Sequence, residues 1–305
     1  MWDRKHLLGI AELSAEEITE ILDKAQHYTE TALDESRASD KLRGRRVVLM
    51  FFENSTRTRV SFELAAERLG ARATAMQMSA SSVAKGESLR DTALTIDAMG
   101  VDFMVVRHSS AGAPRQIAEW VTASVLNAGD GTHEHPTQAL LDMLTIRRHK
   151  NSFDGLRVGI VGDIAHSRVA RSDLIALRKL GADVVLIGPP TLVPGAFAQL
   201  GAEVTHNFDN AIHNCDVLYM LRIQRERLGG QQFPSLREYC EFYRLDGRRM
   251  QRAKPDVLVM HPGPMNRGVE IAADVADGPN AVVLEQVANG VAVRMALLDI
   301  MNDHR

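Results

Sequence analysis

The sequence predicts an α/β protein of two domains, each a parallel sheet flanked by helices, with a long C-terminal helix returning to the first domain. Three observations carry this. From Val47 onward, short apolar runs alternate with helical patterns, as in sheets built from strand–helix–strand units. The alternation breaks once, at the polar stretch Lys150-Asn151-Ser152-Phe153-Asp154-Gly155. The final apolar pattern, residues 284–301, reads as one amphipathic helix. With 305 residues the chain has room for two ordinary domains. The expected division is 1–150, completed by 284–305, and 151–283.

The elements follow in order. Ser14-Ala15-Glu16-Glu17 is a capping-box pattern and opens a helix running to about Ala32. In the first half, strands are expected at 47–52, 73–78, 102–106 and 124–128. Helices are expected at 57–69, closed by Gly70, and at 88–99, 113–120 and 136–149. The second series of strands is expected at 157–161, 184–187, 203–205, 217–219 and 257–260, with helices between them. No repeat of solenoid period and no low-complexity tract interrupts the chain.

Composition narrows the function classes. The apolar fraction of 45% and charged fraction of 25% are those of a soluble globular protein. A net charge of −3 gives no basic field for nucleic acid. The apolar runs are too short to span a bilayer, and the N-terminus lacks the apolar core of a signal peptide. Cys215 and Cys240 show no zinc-site spacing and form no disulfide framework. A cytoplasmic protein with reduced thiols is the expectation.

The densest chemistry lies in Phe51-Phe52-Glu53-Asn54-Ser55-Thr56-Arg57-Thr58-Arg59, between a buried strand and a helix. A helix N-terminus exposes unpaired N–H groups and partial positive charge, and it binds phosphate. Ser-Thr before a helix is also an ordinary N-cap, and surface arginines are common. Four anion-binding side chains in a row directly after a buried strand favour an anion site.

Val158-Gly159-Ile160-Val161-Gly162-Asp163 invites a dinucleotide reading, but the G-x-G-x-x-G spacing is absent. In Gly129-Asp130-Gly131-Thr132-His133-Glu134-His135-Pro136-Thr137-Gln138, the two histidines lack a third metal ligand at a recognisable spacing. His135 and Gln138 sit instead where ligands of α/β sheets collect, as potential donors to a carbonyl. His261-Pro262-Gly263-Pro264 is a stiff turn after the last strand, either a rigid loop or a set of carbonyls facing a ligand. Arg222-Ile223-Gln224-Arg225-Glu226-Arg227 also follows a strand, and would ordinarily be a solvated loop. The Ser79–Ser88 stretch has the composition of a mobile lid carrying one lysine, Lys85.

These motifs, in this order, resemble the aspartate/ornithine carbamoyltransferase family nearly end to end. Three features are similar to its aspartate-using branch: Thr137 in His-Pro-Thr-Gln, Gly263 in His-Pro-Gly-Pro, and the loop from Tyr219 to Arg227. No Asp-x-x-x-Ser-Met-Gly ornithine motif is present. The resemblance implies attack of the L-aspartate α-amine on carbamoyl phosphate, giving N-carbamoyl-L-aspartate and phosphate, early in pyrimidine biosynthesis. It implies no metal or organic cofactor. Residues 1–150 become the carbamoyl-phosphate domain and 151–283 the aspartate domain.

The same resemblance assigns roles. Ser55, Thr56, Arg57 and Thr58 would hold the phosphate. Arg107 would bridge phosphate and carbonyl oxygen, to which Thr58 and His135 also donate. Gln138 and the carbonyls around Gly263 and Pro264 would take the carbamoyl NH₂. Arg168 would take the α-carboxylate, and Arg222 with Gln224 the β-carboxylate, by bidentate geometry. Ser81 and Lys85 would come from a neighbouring subunit of a homotrimer with shared sites. Glu53 would pair with Arg168 and Arg227 on domain closure. Regulatory chains or a dihydroorotase are allowed as partners in a larger assembly. Two departures stand out: Gly263 occupies a position that is leucine in some members, and Ala84 one where a second lysine occurs. A carbamoyltransferase for another amine such as ornithine, or a non-catalytic scaffold homologue, is the alternative.

Overall fold

In the computed structural model, which describes residues 2–29, 39–77, 87–223 and 235–304, the chain folds as two units. The first comprises Met1–Leu144 with Val287–Arg305, and the second Thr145–Gln286.

The first unit begins with α1 (Ala15–Tyr28), whose Ser14 and Glu17 form both bonds of the capping box. Its sheet is built from β1 (Arg46–Phe51), β2 (Arg72–Gln77), β3 (Phe103–His108) and β4 (Ser124–Asp130). The helices are α2 (Thr56–Arg68), α3 (Leu89–Asp97), α4 (Ala113–Trp120) and α5 (Pro136–Lys150), the last crossing into the second unit. All four strands are parallel, in the order β2-β1-β3-β4. Val48 and Met50 of β1 pack with Met104 and Val106 of β3 against Ile96 of α3 and Ile117 of α4. Val47 and Leu49, on the alternate face, are equally buried. Strands covered on both faces read as continuous apolar runs, which is why β1 is legible as Val-Val-Leu-Met.

The second unit holds β5 (Arg157–Val161), β6 (Asp183–Ile187), β7 (Glu203–Thr205), β8 (Val217–Met220) and β9 (Leu258–Met260). They form a parallel sheet in the order β7-β6-β5-β8-β9. Its helices are α6 (Arg168–Lys179), α7 (Phe208–Ala211), α8 (Leu236–Tyr243), α9 (Gly247–Met250) and α10 (Ala273–Ala276).

The last helix, α11 (Val283–Asp303), packs in the first unit from Val287 onward. Here the expectation needs correcting. An amphipathic helix keeps one polar face, yet residues 289–301 of α11 are buried without a break. A helix apolar nearly all round belongs in an interior rather than on a surface. Its buried carboxylate is satisfied: Asp299 accepts from Tyr28 Oη at 2.6 Å and pairs with Lys41 at 2.7 Å and Lys24 at 2.9 Å.

Candidate active site

Both sheets have a switch point, where the chain's next strand is laid down on the opposite side of the previous one. In the first unit it falls between β1 and β3, and in the second between β5 and β8. Ligands of open α/β sheets bind beyond the strand C-termini at such points, because the loops there diverge and leave a crevice.

The first switch point collects the phosphate motif. Phe51 is in register with Arg107, and Phe52 N–H donates to the Arg107 carbonyl at 2.9 Å. Ser55 takes the N-cap position of α2 but makes no side-chain capping bond, and no acidic residue lies in the first turn. The capping explanation for Ser55 therefore fails, and an electropositive helix end remains. Thr58 is buried in that turn, Ser55 is half-buried, and Thr56 and Arg57 are exposed.

Arg107 projects from β3. Its Nη1 donates to Ala128 O at 3.2 Å, and its Nε lies 3.4 Å from Glu53 Oε2. Glu53 is thus an ion-pair partner of Arg107 within the first unit. Next to it, the Phe52 and His108 rings pack at 4.7 Å, and burial pushes the His108 pKa down against the opposing charge of Glu53. His108 Nδ1 accepts from Ser110 N–H at 2.8 Å.

The loop after β4 is organised by two buried acids that the sequence reading passed over. Asp130 accepts from Gly112 N–H at 2.7 Å, Asn127 Nδ2 at 2.8 Å and Glu134 N–H at 3.2 Å. His133 donates to it through Nδ1 at 3.1 Å, which occupies that histidine structurally. Glu134 accepts from Ile10 N–H at 2.8 Å and Ala11 N–H at 3.2 Å. Gly131 adopts φ +50, and a Cβ there would lie 2.8 Å from Ala111 N, so the turn admits glycine alone. This loop sets His135, which is buried, just ahead of Pro136 at the start of α5. His135 O accepts from Gln138 N–H at 3.0 Å, which opens the helix that carries Gln138. Among the described residues no cluster of three or more His, Cys, Asp or Glu is arranged to hold a metal.

The second switch point collects Arg168 and Arg222. Gly162, at φ +126, turns the chain out of β5; a Cβ would lie 3.2 Å from Tyr239 Oη and Leu221 Cβ. Asp163 accepts from His166 Nδ1 at 2.8 Å and His166 N–H at 3.2 Å. Ser167 caps α6 through Ala170 N–H at 3.1 Å, and Arg168 begins the helix with only 5% exposure. Arg222 leaves the end of β8 half-buried.

The loop after β9 is held by an internal bond and by bonds to Gln286, Glu270 and Ile223. His261 N–H donates to Gln286 Oε1 at 3.0 Å. His261 Nδ1 accepts from Gly263 N–H at 2.8 Å, so the ring proton sits on Nε2 and points to Glu270 Oε1 at 3.1 Å. Asn266 N–H donates to the same oxygen at 2.5 Å, and Asn266 Nδ2 donates to Ile223 O at 3.1 Å. Asn266 thereby ties this loop to the residue after Arg222. Gly263 has φ +63 and precedes a cis bond to Pro264.

Ser81, Lys85, Gln224 and Arg227 lie outside the described residues. Of the other expected residues, Glu53, Ser55, Thr56, Arg57, Thr58, Arg107, His135 and Gln138 belong to the first unit. Arg168, Arg222, Gly263 and Pro264 belong to the second.

Two models of one protein family match the chain. Residues 5–148 match the family described as aspartate/ornithine carbamoyltransferase, carbamoyl-P binding domain. Residues 154–301 match its Asp/Orn binding domain. The chain belongs to the aspartate/ornithine carbamoyltransferase family. The aspartate carbamoyltransferase catalytic subunit of Syntrophotalea carbinolica is 55% identical over 301 residues, covering 99% of this chain and 96% of its own. Among solved structures, aspartate transcarbamoylase from Trypanosoma cruzi in complex with carbamoyl aspartate and phosphate superposes with TM-score 0.87 at 33% identity. That match covers 96% of this chain and 94% of the other. Ornithine carbamoyltransferase from Pyrococcus furiosus gives TM-score 0.85 at 31% identity, covering 96% and 95%. The fold is therefore common to both branches, and substrate choice rests on side chains.

Proposed function

We propose that this chain is the catalytic chain of an aspartate carbamoyltransferase, transferring the carbamoyl group of carbamoyl phosphate to the α-amine of L-aspartate. The observation that carries the reading is that the switch point of each unit holds an anion-binding half-site of its own. One offers an acid-free helix N-terminus with Ser55, Thr56, Arg57 and Thr58; the other offers Arg168 and Arg222. A dianionic leaving group suits the first, and a dicarboxylate suits the second. Relatives at 52% to 56% identity carry the aspartate name, which favours aspartate over ornithine as acceptor.

In this reading the α-amine attacks the carbonyl carbon, and the tetrahedral intermediate collapses with loss of phosphate. Arg57 and the α2 N–H groups neutralise the phosphate that departs. Arg107, Thr58 and His135 stabilise the charge that develops on the carbonyl oxygen. Gln138 and the Gly263 and Pro264 carbonyls accept from the carbamoyl NH₂. Arg168 takes the α-carboxylate and Arg222, with Gln224, the β-carboxylate. The gain is positioning and preorganised charge, with no covalent enzyme intermediate.

We assign the finer features on the family resemblance: a homotrimer in the cytoplasm, Ser81 and Lys85 entering the neighbouring subunit's site, and Glu53 linking to Arg168 and Arg227 on closure. The deciding assay supplies carbamoyl phosphate with either L-aspartate or L-ornithine. Turnover of aspartate is expected, and turnover of ornithine alone defeats the assignment. Mixing inactive Lys85→Ala with inactive His135→Ala chains should restore activity. No recovery after verified subunit exchange rejects shared sites.

A further inference from the structure

Gln138 and Asp142 lie one turn apart on the same face of α5. Asp142 is fully buried, whereas Gln138 is half-buried. The Gln138 Nε2 donates to both carboxylate oxygens, at 3.3 Å to Oδ1 and 3.1 Å to Oδ2. An ionised carboxylate has no hydrogen to give, so it admits only the nitrogen side of the amide. The amide oxygen must then face away from Asp142.

The fold also places a cation, Arg294, within electrostatic reach of Asp142. Arg294, from the middle of α11, is buried among these residues; burial pushes its pKa down to about 10, opposed by the charge of Asp142. It stays a cation at neutral pH. Its Nη1 donates to Gly290 O at 2.8 Å and its Nη2 to Thr137 Oγ1 at 3.4 Å, with the guanidinium 5.0 Å from the Phe62 ring centroid. A Cβ at Gly290 would stand 2.5 Å from Nη1, so the glycine makes room for this cation.

We propose that Asp142 is a positioning residue that locks the side-chain oxygen of Gln138 toward the bound donor, making the site selective for an acyl phosphate that carries an NH₂ group. The inference rests on the reading of Gln138 as a carbamoyl ligand. Acetyl phosphate is the informative comparison, because it keeps the phosphate, the carbonyl and the shape but replaces NH₂ by methyl. A site built to accept a hydrogen bond rejects the analogue that cannot donate one. An amide free to turn over would present its own NH₂ to the carbamoyl NH₂, and the preference would fall.

The test uses the full chain and its Asp142→Asn variant. Asparagine has the same shape but can face Gln138 with either oxygen or nitrogen, so the constraint on amide direction is lost. The readouts are the KM for carbamoyl phosphate at saturating L-aspartate and the inhibition constant of acetyl phosphate against carbamoyl phosphate. The KM should rise about twofold or more, since an amide that faces either way is competent about half the time, while acetyl phosphate binds as it does to the unaltered chain. Equal weakening of both ligands overturns the proposal, since it signals general damage. An unchanged KM overturns it too. Where Asp142→Asn leaves Arg294 too poorly compensated to fold, Asp142→Asn with Arg294→Met removes the lone buried charge and is read the same way. Failure of the unaltered chain to transfer a carbamoyl group strikes the parent reading; normal transfer with an unmoved selectivity strikes the lock alone.

Discussion

Replacing His261 by alanine interrogates the scaffold that holds Gly263 and Pro264. The His261 and Glu270 side chains are both fully buried. Alanine deletes the acceptor of Gly263 N–H at 2.8 Å and the donor to Glu270 Oε1 at 3.1 Å. A neutral buried bond contributes about 1 kcal/mol and one to a charged group about 1.5–3 kcal/mol. The pair is therefore worth about 3 kcal/mol, before any cost of the void left by the ring. That loss has two outlets. If the loop keeps its place, Tm falls by roughly 2–4 °C per kcal/mol, the scale for chains somewhat smaller than this one. A drop of about 6–12 °C is then expected. If the loop shifts to recover partners, the carbonyls of Gly263 and Pro264 move and kcat/KM for carbamoyl phosphate falls tenfold for each 1.4 kcal/mol or so. The two readouts should together account for about 3 kcal/mol. Thermal unfolding and steady-state kinetics on one preparation measure both. A Tm within about 1 °C of the unaltered chain and a kcat/KM within about twofold would refute the scaffold, because neither outlet would then carry the expected loss.

Three further outcomes follow from the same structure. Arg57→Ala should abolish inhibition by inorganic phosphate, while Arg222→Ala should raise the aspartate KM about 100-fold and leave phosphate inhibition intact; an effect of Arg222→Ala on phosphate would misplace the half-sites. Gly131→Ala should yield little folded protein, because φ is +50 and the added carbon meets backbone at Ala111 N and Ser109 O, which cannot swing aside; a normal melting curve contradicts this. Acid should loosen the N-terminal segment through His6, whose Nδ1 accepts from Val125 N–H at 3.1 Å and whose pKa burial lowers from 6.5 to about 4. Between those values the unfolded chain takes up a proton that the folded chain refuses, so stability is full above pH 6.5 and declines as pH falls toward 4. Tm against pH should flatten over that interval in His6→Gln, and an unchanged slope would remove His6 as the cause.

The strands and most helices were legible because sheets covered on both faces impose apolar runs, and helix starts impose capping residues. Ser14 with Glu17 and Pro136 at the head of α5 are such signals, and both mark the observed helix starts. The phosphate motif was legible for a similar reason: its chemistry is local to one strand–helix junction. Arg168 and Arg222 were harder, since physics alone could not distinguish Arg222 from a solvated loop residue, and the family resemblance assigned it. Asp130, Glu134, Asp142 and Glu270 were passed over. Glu134 reaches back to Ile10, so no window around it contains its partner. Asp142 did leave a trace in its four-residue spacing from Gln138, and Arg294 left one as the sole cation of its helix. The amphipathic reading of α11 failed because it assumed a solvent face where residues 289–301 have none.

Those overlooked acids share a physical role that explains why the site would tolerate them at all. A buried carboxylate is costly unless hydrogen-bonded, and as an ionised group it can only accept. Every donor it gathers is thereby given a direction. Asp130 collects three backbone or amide donors and aims the loop that leads to His135. Glu270 collects His261 Nε2 and Asn266 N–H and so fixes the turn holding Gly263. Asp142 takes the Gln138 amide, a side-chain donor. The first two orient backbone, where alternatives to the native hydrogen bonds are few and the loss should fall mainly on stability. The third orients a side-chain amide that can turn over by rotation about one bond. Its loss should fall on selectivity with little change in folding, once the charge of Arg294 is balanced. A buried acid beneath a polar loop can thus serve as scaffold or as specificity device, and what decides between them is how freely the group it holds could otherwise rotate.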